Sequence, residues 1–143
     1  MPVTILAVGA KMPSWVNEAY AEYAKRLPRD YSLKLIEIPA QKRSGHADTA
    51  TVLKKEAQAI LQHIKPSDFV VALDVKGQNL STEQLAEKLQ SWHDQSLSIV
   101  LVIGGPEGLS EPCIHRANFR WSLSNLTFPH PLVRIILAEQ VYR

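Results

Sequence analysis

Apolar and polar residues follow two different periodicities along the chain. Short runs of aliphatic and β-branched residues predict five strands, at 3–8, 33–38, 69–73, 97–103 and 119–123. Between these runs, apolar residues spaced three and four apart predict amphipathic helices; Leu85, Leu89 and Trp92 form one such stripe. Because strands alternate with helices and several strands are apolar on both faces, the pattern predicts an α/β fold with a parallel sheet covered by helices on both faces.

Start and stop signals define the helices. Ser81 and Gln84 have the spacing of a capping box, and Ser14 is expected to cap the first helix, which Pro28 ends. Pro131 suits the first turn of the last helix. The other helices are predicted at 48–64 and 110–117.

Composition describes an ordinary globular protein. The chain has 143 residues, 45% of them hydrophobic and 21% charged, so we expect one domain over 1–143. The net charge of +2 permits an anionic partner without requiring one. A single cysteine, Cys113, excludes an internal disulfide. No leader or membrane-spanning pattern is evident, so a cytoplasmic protein without a membrane partner is expected.

Several chemistries lack their motifs. The five histidines have no metal-ligand spacing, so no metal site is expected. Nucleophile-elbow, Walker and dinucleotide-binding patterns are absent. Cys113 and the three tryptophans are interpreted as packing or interface residues.

One candidate site is the glycine-rich turn that follows the strand at 97–103. Gly104, Gly105 and Gly108 can adopt positive φ angles and allow close approach of a ligand, and the turn lies where open α/β sheets bind ligands. The alternative is a tight strand-to-helix connection without a ligand. If the turn binds a ligand, Gly104→Val should abolish binding while the protein remains folded.

A second candidate is the segment at 123–131. Pro129 and Pro131 restrict their own φ angles and keep Phe128 and His130 extended, so the backbone groups of this segment point in set directions. Such a rim could bind the edge of an adenine. The alternative is a rigid connector into the last helix, with His130 as its cap.

Together these segments resemble the bacterial ribosomal large-subunit methyltransferase H family of the SPOUT superfamily. The similarity includes Ile-Gly-Gly-Pro-Glu-Gly-Leu-Ser at 103–110 and Trp-Ser-Leu-Ser-Asn-Leu-Thr-Phe-Pro-His-Pro-Leu-Val-Arg at 121–134. Val-Gly-Ala-Lys-Met-Pro-Ser-Trp-Val at 8–16 and Glu-Ile-Pro-Ala-Gln-Lys-Arg at 37–43 also match. The resemblance runs from end to end.

The resemblance implies a specific fold and activity. It implies a parallel-sheet α/β knot with a C-terminal trefoil, a homodimer, and S-adenosylmethionine as cofactor. The implied substrate is N3 of a pseudouridine in helix 69 of 23S rRNA within the assembled 70S ribosome. The family's cofactor-binding positions correspond here to Leu73, Gly104, Leu123, Ser124, Asn125, Leu126, Thr127 and Phe128.

Candidate catalytic residues follow from the reaction, in which an imide N3 must lose its proton. His130 could act as the base or orient the substrate, and Arg134 could offset negative charge. The alternative for Arg134 is a surface position on the last helix that contacts a partner subunit. Glu107 and Glu139 are weaker candidates, and Glu107 could instead cap amides of its own turn.

Two further expectations concern the tail and the RNA. The resemblance implies a short tail after the position of Arg143, similar to His-Pro-Tyr-His-Arg, which helps complete the active site across the dimer; cofactor binding is expected to survive without it. A basic patch could contact RNA phosphates, although a solvated surface is the alternative. Its residues are Lys25, Arg26, Arg29, Lys42, Arg43 and His46.

Two rival functions remain at this point. One is a non-catalytic ribosome- or RNA-binding dimer of the same fold. The other is a nucleotide-binding oxidoreductase, which the missing dinucleotide fingerprint disfavours.

Overall fold

The structure is a computed structural model and describes residues 1–28, 30–40, 49–105 and 108–143. Strands and helices alternate within this part of the chain. In order they are β1 (Pro2–Val8), α1 (Ser14–Ala24), β2 (Ser32–Ile38), α2 (Thr49–Gln62), β3 (Phe69–Asn79), α3 (Thr82–Asp94), β4 (Ile99–Ile103), α4 (Glu111–Arg116), β5 (Phe119–Ser122) and α5 (His130–Tyr142).

The five strands form one sheet in the order β2-β1-β4-β3-β5, and every neighbouring pair is parallel. All five residues of the central strand β4 are buried, as its uninterrupted apolar sequence predicts. The prediction of a parallel sheet is therefore confirmed. Its order brings the carboxyl ends of β3, β4 and β5 to one edge, although the three strands are far apart along the chain.

Helices cover both faces of the sheet. Alternate strand residues such as Ile5 and Leu101 pack with the apolar sides of α3 and α5. Their neighbours Leu6 and Val102 face the opposite side and pack with α2 and α4. The thiol of Cys113 is buried in this second core, and burial raises its pKa above the ordinary value.

The capping-box prediction is confirmed at α3. The backbone N–H of Gln84 donates to Ser81 Oγ at 3.1 Å, and the N–H of Ser81 donates to Gln84 Oε1 at 2.9 Å. A cap of this kind contributes about 1 kcal/mol. The helix ends with Ser96 in the left-handed region at φ 57° and Leu97 N–H bonded to Trp92 O. Leu97 therefore belongs to the helix end, and β4 begins at Ile99 instead of 97.

The ends of α1 differ from prediction. Pro13, in an extended conformation, occupies the N-cap position; Ser14 is already helical and makes no capping hydrogen bond. The carbonyl of Pro13 accepts from the N–H of Val16, which fixes the start. At the other end the chain leaves the α-helix after Ala24, and Arg26 N–H bonds to Tyr23 O in a tighter turn before Pro28.

The remaining elements end within a few residues of their predicted bounds, except β3. This strand was expected to stop at Leu73 and instead runs to Asn79. Its second half pairs with β5 after a shift in register, so that Trp121 lies opposite both Leu73 and Gln78. The four residues between them form an irregularity on the edge where the candidate site lies.

Candidate functional site

A cavity of about 600 Å³ lies at the carboxyl edge of the sheet. It is bounded by the ends of β3 and β4, by the segment after β5 and by the start of α5. A volume of this size is typical of small-molecule sites. The lining residues are Leu73, Asp74, Val75, Ile103, Gly104, Gly105, Gly108, Trp121, Ser122, Leu123, Ser124, Leu126, Thr127, Phe128, Pro129, His130 and Val133.

The structure brings most of the predicted site residues together around this cavity. Leu73, Gly104, His130 and five of the six residues at 123–128 line it. Asn125 is exposed and is not among the lining residues. Glu107 lies outside the described residues. Arg134 and Glu139 are described, but neither lines the cavity.

The glycine turn is built by backbone packing within the turn itself. The N–H of Gly108 donates to Gly105 O at 2.9 Å, and a Cβ on Gly104 would lie 2.6 Å from Gly108 C and O. Of these three glycines only Gly108 has a positive φ, 79°. The group that closely approaches Gly104 is therefore the Gly108 backbone, and a valine at position 104 would displace the turn as well as any ligand. The expectation that the Gly104→Val protein remains folded stays a prediction.

The irregularity in β3 forms one lip of the cavity. Gly77 allows the strand to return to β5, because a Cβ there would lie 2.7 Å from the backbone of Arg120 and Trp121. Arg120 Nε donates to Asp74 Oδ2 at 3.0 Å, which anchors the start of the irregular segment. Burial alone would raise the Asp74 pKa, but the bonds from Arg120 and from Lys76 N–H outweigh burial, and the pKa is lowered.

The segment after β5 forms the opposite lip and is held by its own side chains. Ser122 Oγ donates to Ser124 O at 3.0 Å, and the N–H of Leu126 donates to Ser124 Oγ at 3.0 Å. Leu126 nevertheless keeps 70% of its surface exposed at the cavity rim. Phe128 instead packs against the apolar core. The result is a rim that is held in place by its own hydrogen bonds and offers apolar side chains to the cavity.

His130 is the first residue of α5, and Pro129 occupies the N-cap position. The interpretation of His130 as a helix cap is therefore wrong. Its Nδ1 is buried and has no hydrogen-bond partner. Burial, followed by the nearby Arg134 cation, lowers the pKa of the imidazole below its ordinary value. The structure thus places an uncharged imidazole in the cavity wall.

Arg134 is not on the surface. Its side chain is fully buried, and it is the largest fully buried side chain of the described chain. Nη1 donates to Glu37 Oε2 at 2.7 Å and Nη2 donates to Gly9 O at 3.3 Å. The surface interpretation is wrong because a carboxylate from β2 and a carbonyl beyond β1 bind this cation inside the fold.

Glu139 lies at the far end of α5. It follows His130 by nine helical residues, or about 14 Å. Its carboxylate accepts from Arg143 Nε at 3.1 Å. The structure therefore gives Glu139 a local ion pair remote from the cavity instead of a position beside the reacting atoms.

Sequence reasoning missed several residues at this edge of the sheet. Asp74 and Trp121 line the cavity, and Trp121 Nε1 is buried without a partner. Gly9 and Glu37 bind Arg134 from the ends of two strands. Both lie in the stretches at 8–16 and 37–43 that carry the family resemblance, and this was the available signal.

Of the basic patch, only Lys25 and Arg26 lie in the described residues. Arg26 Nη2 binds Glu22 at 2.6 Å, and its guanidinium lies 5.8 Å from the ring centre of Tyr142 at the end of α5. Because α5 begins at the cavity and ends beside Arg26, Arg26 lies at the end of α5 that is remote from the cavity. Within one protomer it does not reach a base held in the cavity.

Comparison with known proteins decides the family. A family model described as a predicted SPOUT methyltransferase matches residues 1–143. The chain belongs to the SPOUT methyltransferase family.

Relatives of this SPOUT methyltransferase share its sequence over its whole length. It is 53% identical to ribosomal RNA large subunit methyltransferase H of Thioalkalivibrio sulfidiphilus (strain HL-EbGR7), over 100% of this chain and 92% of that protein. It is 50% identical, with the same coverage, to the protein of that name from Hahella chejuensis (strain KCTC 2396). These matches also place it in the ribosomal RNA large subunit methyltransferase H family.

A solved structure supports the fold of this SPOUT methyltransferase. A probable methylase family protein from Haemophilus influenzae Rd KW20 superposes with a TM-score of 0.59 at 11% identity. The match covers 98% of this chain, which spans 64% of that protein. Among the described residues, no helix is long and apolar enough to span a membrane. That same part of the chain contains no group of three potential metal ligands.

Proposed function

We propose that this methyltransferase moves the methyl group of S-adenosylmethionine to N3 of a pseudouridine in helix 69 of 23S rRNA. The observation that carries the proposal is the cavity at the carboxyl edge of the sheet, formed by Leu73, the glycine turn and the rim at 123–128. It occurs in a chain that is 53% identical over its full length to a protein named for ribosomal RNA methylation.

The lining fits the cofactor. Leu73 and Phe128 offer apolar surface to an adenine, and the backbone groups of 123–128 can bind its polar edge. Trp121 Nε1, which is buried and unpaired, provides a further donor. The Asp74 carboxylate suits a positively charged ligand. When bound, the cofactor supplies an electrophilic methyl carbon on a sulfonium.

The protein's task is then alignment and proton removal. Transfer of the methyl carbon from sulfur to N3 would require the residues around the cavity to hold the deprotonated N3 in line with the bond that breaks. His130, uncharged in the cavity wall, can accept the N3 proton. Arg134 does not line the cavity, so its contribution is indirect, through the position and charge of its neighbours.

The proposal includes the C-terminal knot, one domain over 1–143, and a homodimer in the cytoplasm acting on the assembled ribosome. Support for the dimer comes from α5, whose apolar residues are spread around the helix instead of being confined to one face. Leu132, Ile135 and Ile136 remain only half-buried in one protomer. Trp15 on the neighbouring helix α1 is 54% exposed. A second copy placed on this face would cover these side chains.

Two substitutions in the same rim test the cofactor site. Thr127 and Asn125 are both exposed, but only Thr127 lines the cavity. Thr127→Arg should abolish S-adenosylmethionine binding in calorimetry by filling the cavity, whereas Asn125→Arg should leave binding intact. Equal effects of the two substitutions would reject the site.

Activity is tested with whole ribosomes and labelled cofactor. Methyl incorporation at the helix 69 pseudouridine is expected with the family tail present, and the same assay without it measures how far transfer depends on the tail. Cofactor binding with no methyl transfer in either form would favour the non-catalytic ribosome-binding dimer. Binding of NAD in place of S-adenosylmethionine would favour an oxidoreductase. Neutralising Lys42 and Arg43 should weaken ribosome binding and leave cofactor affinity unchanged.

A further inference from the structure

A group of polar atoms surrounds the buried Arg134 side chain, which does not itself line the cavity. Arg134 from α5, Glu37 from β2 and the Gly9 carbonyl after β1 are joined by hydrogen bonds. Tyr20 from α1 is close enough for its hydroxyl to be influenced by the Arg134 charge. His130 is on the same helix as Arg134, one turn earlier, and separates this group from the cavity.

The Arg134 side chain has little freedom to move. Two of its nitrogens are bonded to groups on different strands, and no part of the side chain reaches solvent. Residues four apart on a helix lie on the same side, one above the other. A fixed Arg134 therefore fixes the surface against which His130 rests.

Gly9 contacts His130 directly from the other side. With φ at +125°, Gly9 adopts a conformation that other residues rarely take. A Cβ at Gly9 would lie 3.0 Å from His130 Cε1 and 2.8 Å from Met12 Cε. The imidazole therefore packs against bare backbone, and the carbonyl of that same residue accepts the bond from Arg134.

We propose that Glu37, Arg134 and Gly9 act as one positioning unit that holds the His130 imidazole in the cavity wall. The inference rests on the proposed function, since His130 matters only if the reacting base lies in this cavity. It assigns roles to Glu37 and Gly9 that the reaction alone does not suggest, and it makes Arg134 a positioning residue instead of a catalytic one.

Charge supports the same arrangement. The buried Arg134 cation disfavours a second positive charge on His130, and burial of the imidazole acts in the same direction. Glu37 offsets part of the arginine charge. Tyr20, which interacts with the Arg134 charge, is uncharged since burial raises its pKa to about 12, and Asp74 lines the same cavity as His130. An uncharged imidazole has an unprotonated nitrogen that can accept a hydrogen bond from the N3–H of the substrate base.

Glu37→Ala and Glu37→Gln test the proposal. The amide of glutamine keeps an oxygen that can accept from Arg134 Nη1, whereas alanine removes the anchor. We expect Glu37→Ala to lower kcat for methyl transfer by about tenfold or more, with KM for S-adenosylmethionine within about twofold. Glu37→Gln should retain most of kcat. Glu18→Gln, an exposed acidic position on α1, serves as the matched control and should change neither constant.

Proton NMR of the histidine rings gives a second readout that needs no turnover. His130 is assigned by the loss of its signals in His130→Gln. Glu37→Ala should alter its chemical shift and titration, whereas His63, His93 and His115 should be unchanged. Both variants are measured well below their melting temperatures, so that a loss of stability alone does not change either readout.

The outcomes distinguish a failure of the positioning unit from a failure of the proposed function. A folded Glu37→Ala protein with unchanged kcat and unchanged His130 titration would overturn the positioning unit. A changed His130 titration in a protein that neither binds S-adenosylmethionine nor methylates ribosomes would leave the unit in place and reject the proposed function instead.

Discussion

Removing the Glu37 carboxylate should destabilise the protein more than removing the guanidinium bonded to it. The two groups are 2.7 Å apart, and at an effective dielectric constant of about 20 their attraction is about 6 kcal/mol. Desolvation of the ions opposes this attraction. The asymmetry arises because the Glu37 side chain is 34% exposed and that of Arg134 is 0% exposed.

This difference in exposure between the two side chains sets the expected loss of stability for each substitution. Glu37→Ala leaves a buried cation whose remaining partner in the structure is the Gly9 carbonyl, and breaking a buried pair in this way costs about 3 kcal/mol. Arg134→Met fills the space with an apolar chain and leaves a carboxylate that water can reach, so we expect about 1 kcal/mol. For a chain of this length, 1 kcal/mol corresponds to about 3 °C in Tm.

Chemical denaturation of the single and double variants measures the difference. The double variant Glu37→Ala/Arg134→Met should be more stable than Glu37→Ala alone by about 2 kcal/mol, because it removes the unpaired cation. Glu22→Ala, which breaks an exposed ion pair with Lys25 and Arg26, is the control and should leave stability almost unchanged, because water screens both partners. Additive single effects, or a larger loss with Arg134→Met, would refute the reasoning.

Three further outcomes are expected. Gly104→Ala should lower both stability and cofactor affinity, since its Cβ would lie 2.6 Å from the Gly108 backbone. The Cβ of Gly108→Ala meets no atom within 4 Å, so this variant should lose only about 1 kcal/mol of stability, through its φ of 79°. Equal losses of stability for the two variants in denaturant melts would contradict this. Leu126→Ala should change stability by less than about 0.5 kcal/mol, because Leu126 is 70% exposed. The same substitution should raise the Kd for S-adenosylmethionine about tenfold. An unchanged Kd in calorimetry would show that the rim does not cover the ligand. Tyr20→Phe removes a buried hydroxyl without a partner and should be neutral or stabilising at pH 7. The folded-state pKa of Tyr20 is raised to about 12 from 10.0, so the contribution of its protonation to stability is complete below pH 10 and is lost as pH rises towards 12. Tyr20→Phe has no hydroxyl to ionise and should therefore lose less stability over that interval. Melts of both proteins at pH 9 to 12 that decline in parallel would contradict this.

The parallel sheet could be predicted because its evidence is local. An apolar run such as Ile99–Ile103 needs cover on both faces whatever surrounds it. The capping box at Ser81 likewise depends only on residues three positions apart. The extension of β3 beyond Leu73 could not be predicted in this way, because Asp74 to Gly77 has the composition of a turn and the strand resumes only through pairing with β5.

The site was predicted where it lies on single strand ends and missed where it depends on distant partners. Gly104 follows directly from the turn pattern, whereas Leu73 was assigned through the family resemblance. Arg134 was placed on the surface because charged residues are rarely buried. Its burial depends on Glu37, 97 positions earlier in the chain, and on a carbonyl oxygen that no side-chain pattern reveals. The role of Gly104 was similarly hidden, as the clash it avoids is with a backbone four residues later.

The walls of the cavity come from segments that meet only in the folded chain: residues 73–75, residues 103–105 with 108, and residues between 121 and 133. An unfolded polypeptide therefore offers no equivalent binding surface, and any molecule held there shifts the folding equilibrium by mass action. At a free concentration one hundred times Kd the gain is about 2.7 kcal/mol. If that molecule is the proposed S-adenosylmethionine, the half-life of the protein in the presence of a protease should lengthen as the concentration of the methyl donor rises.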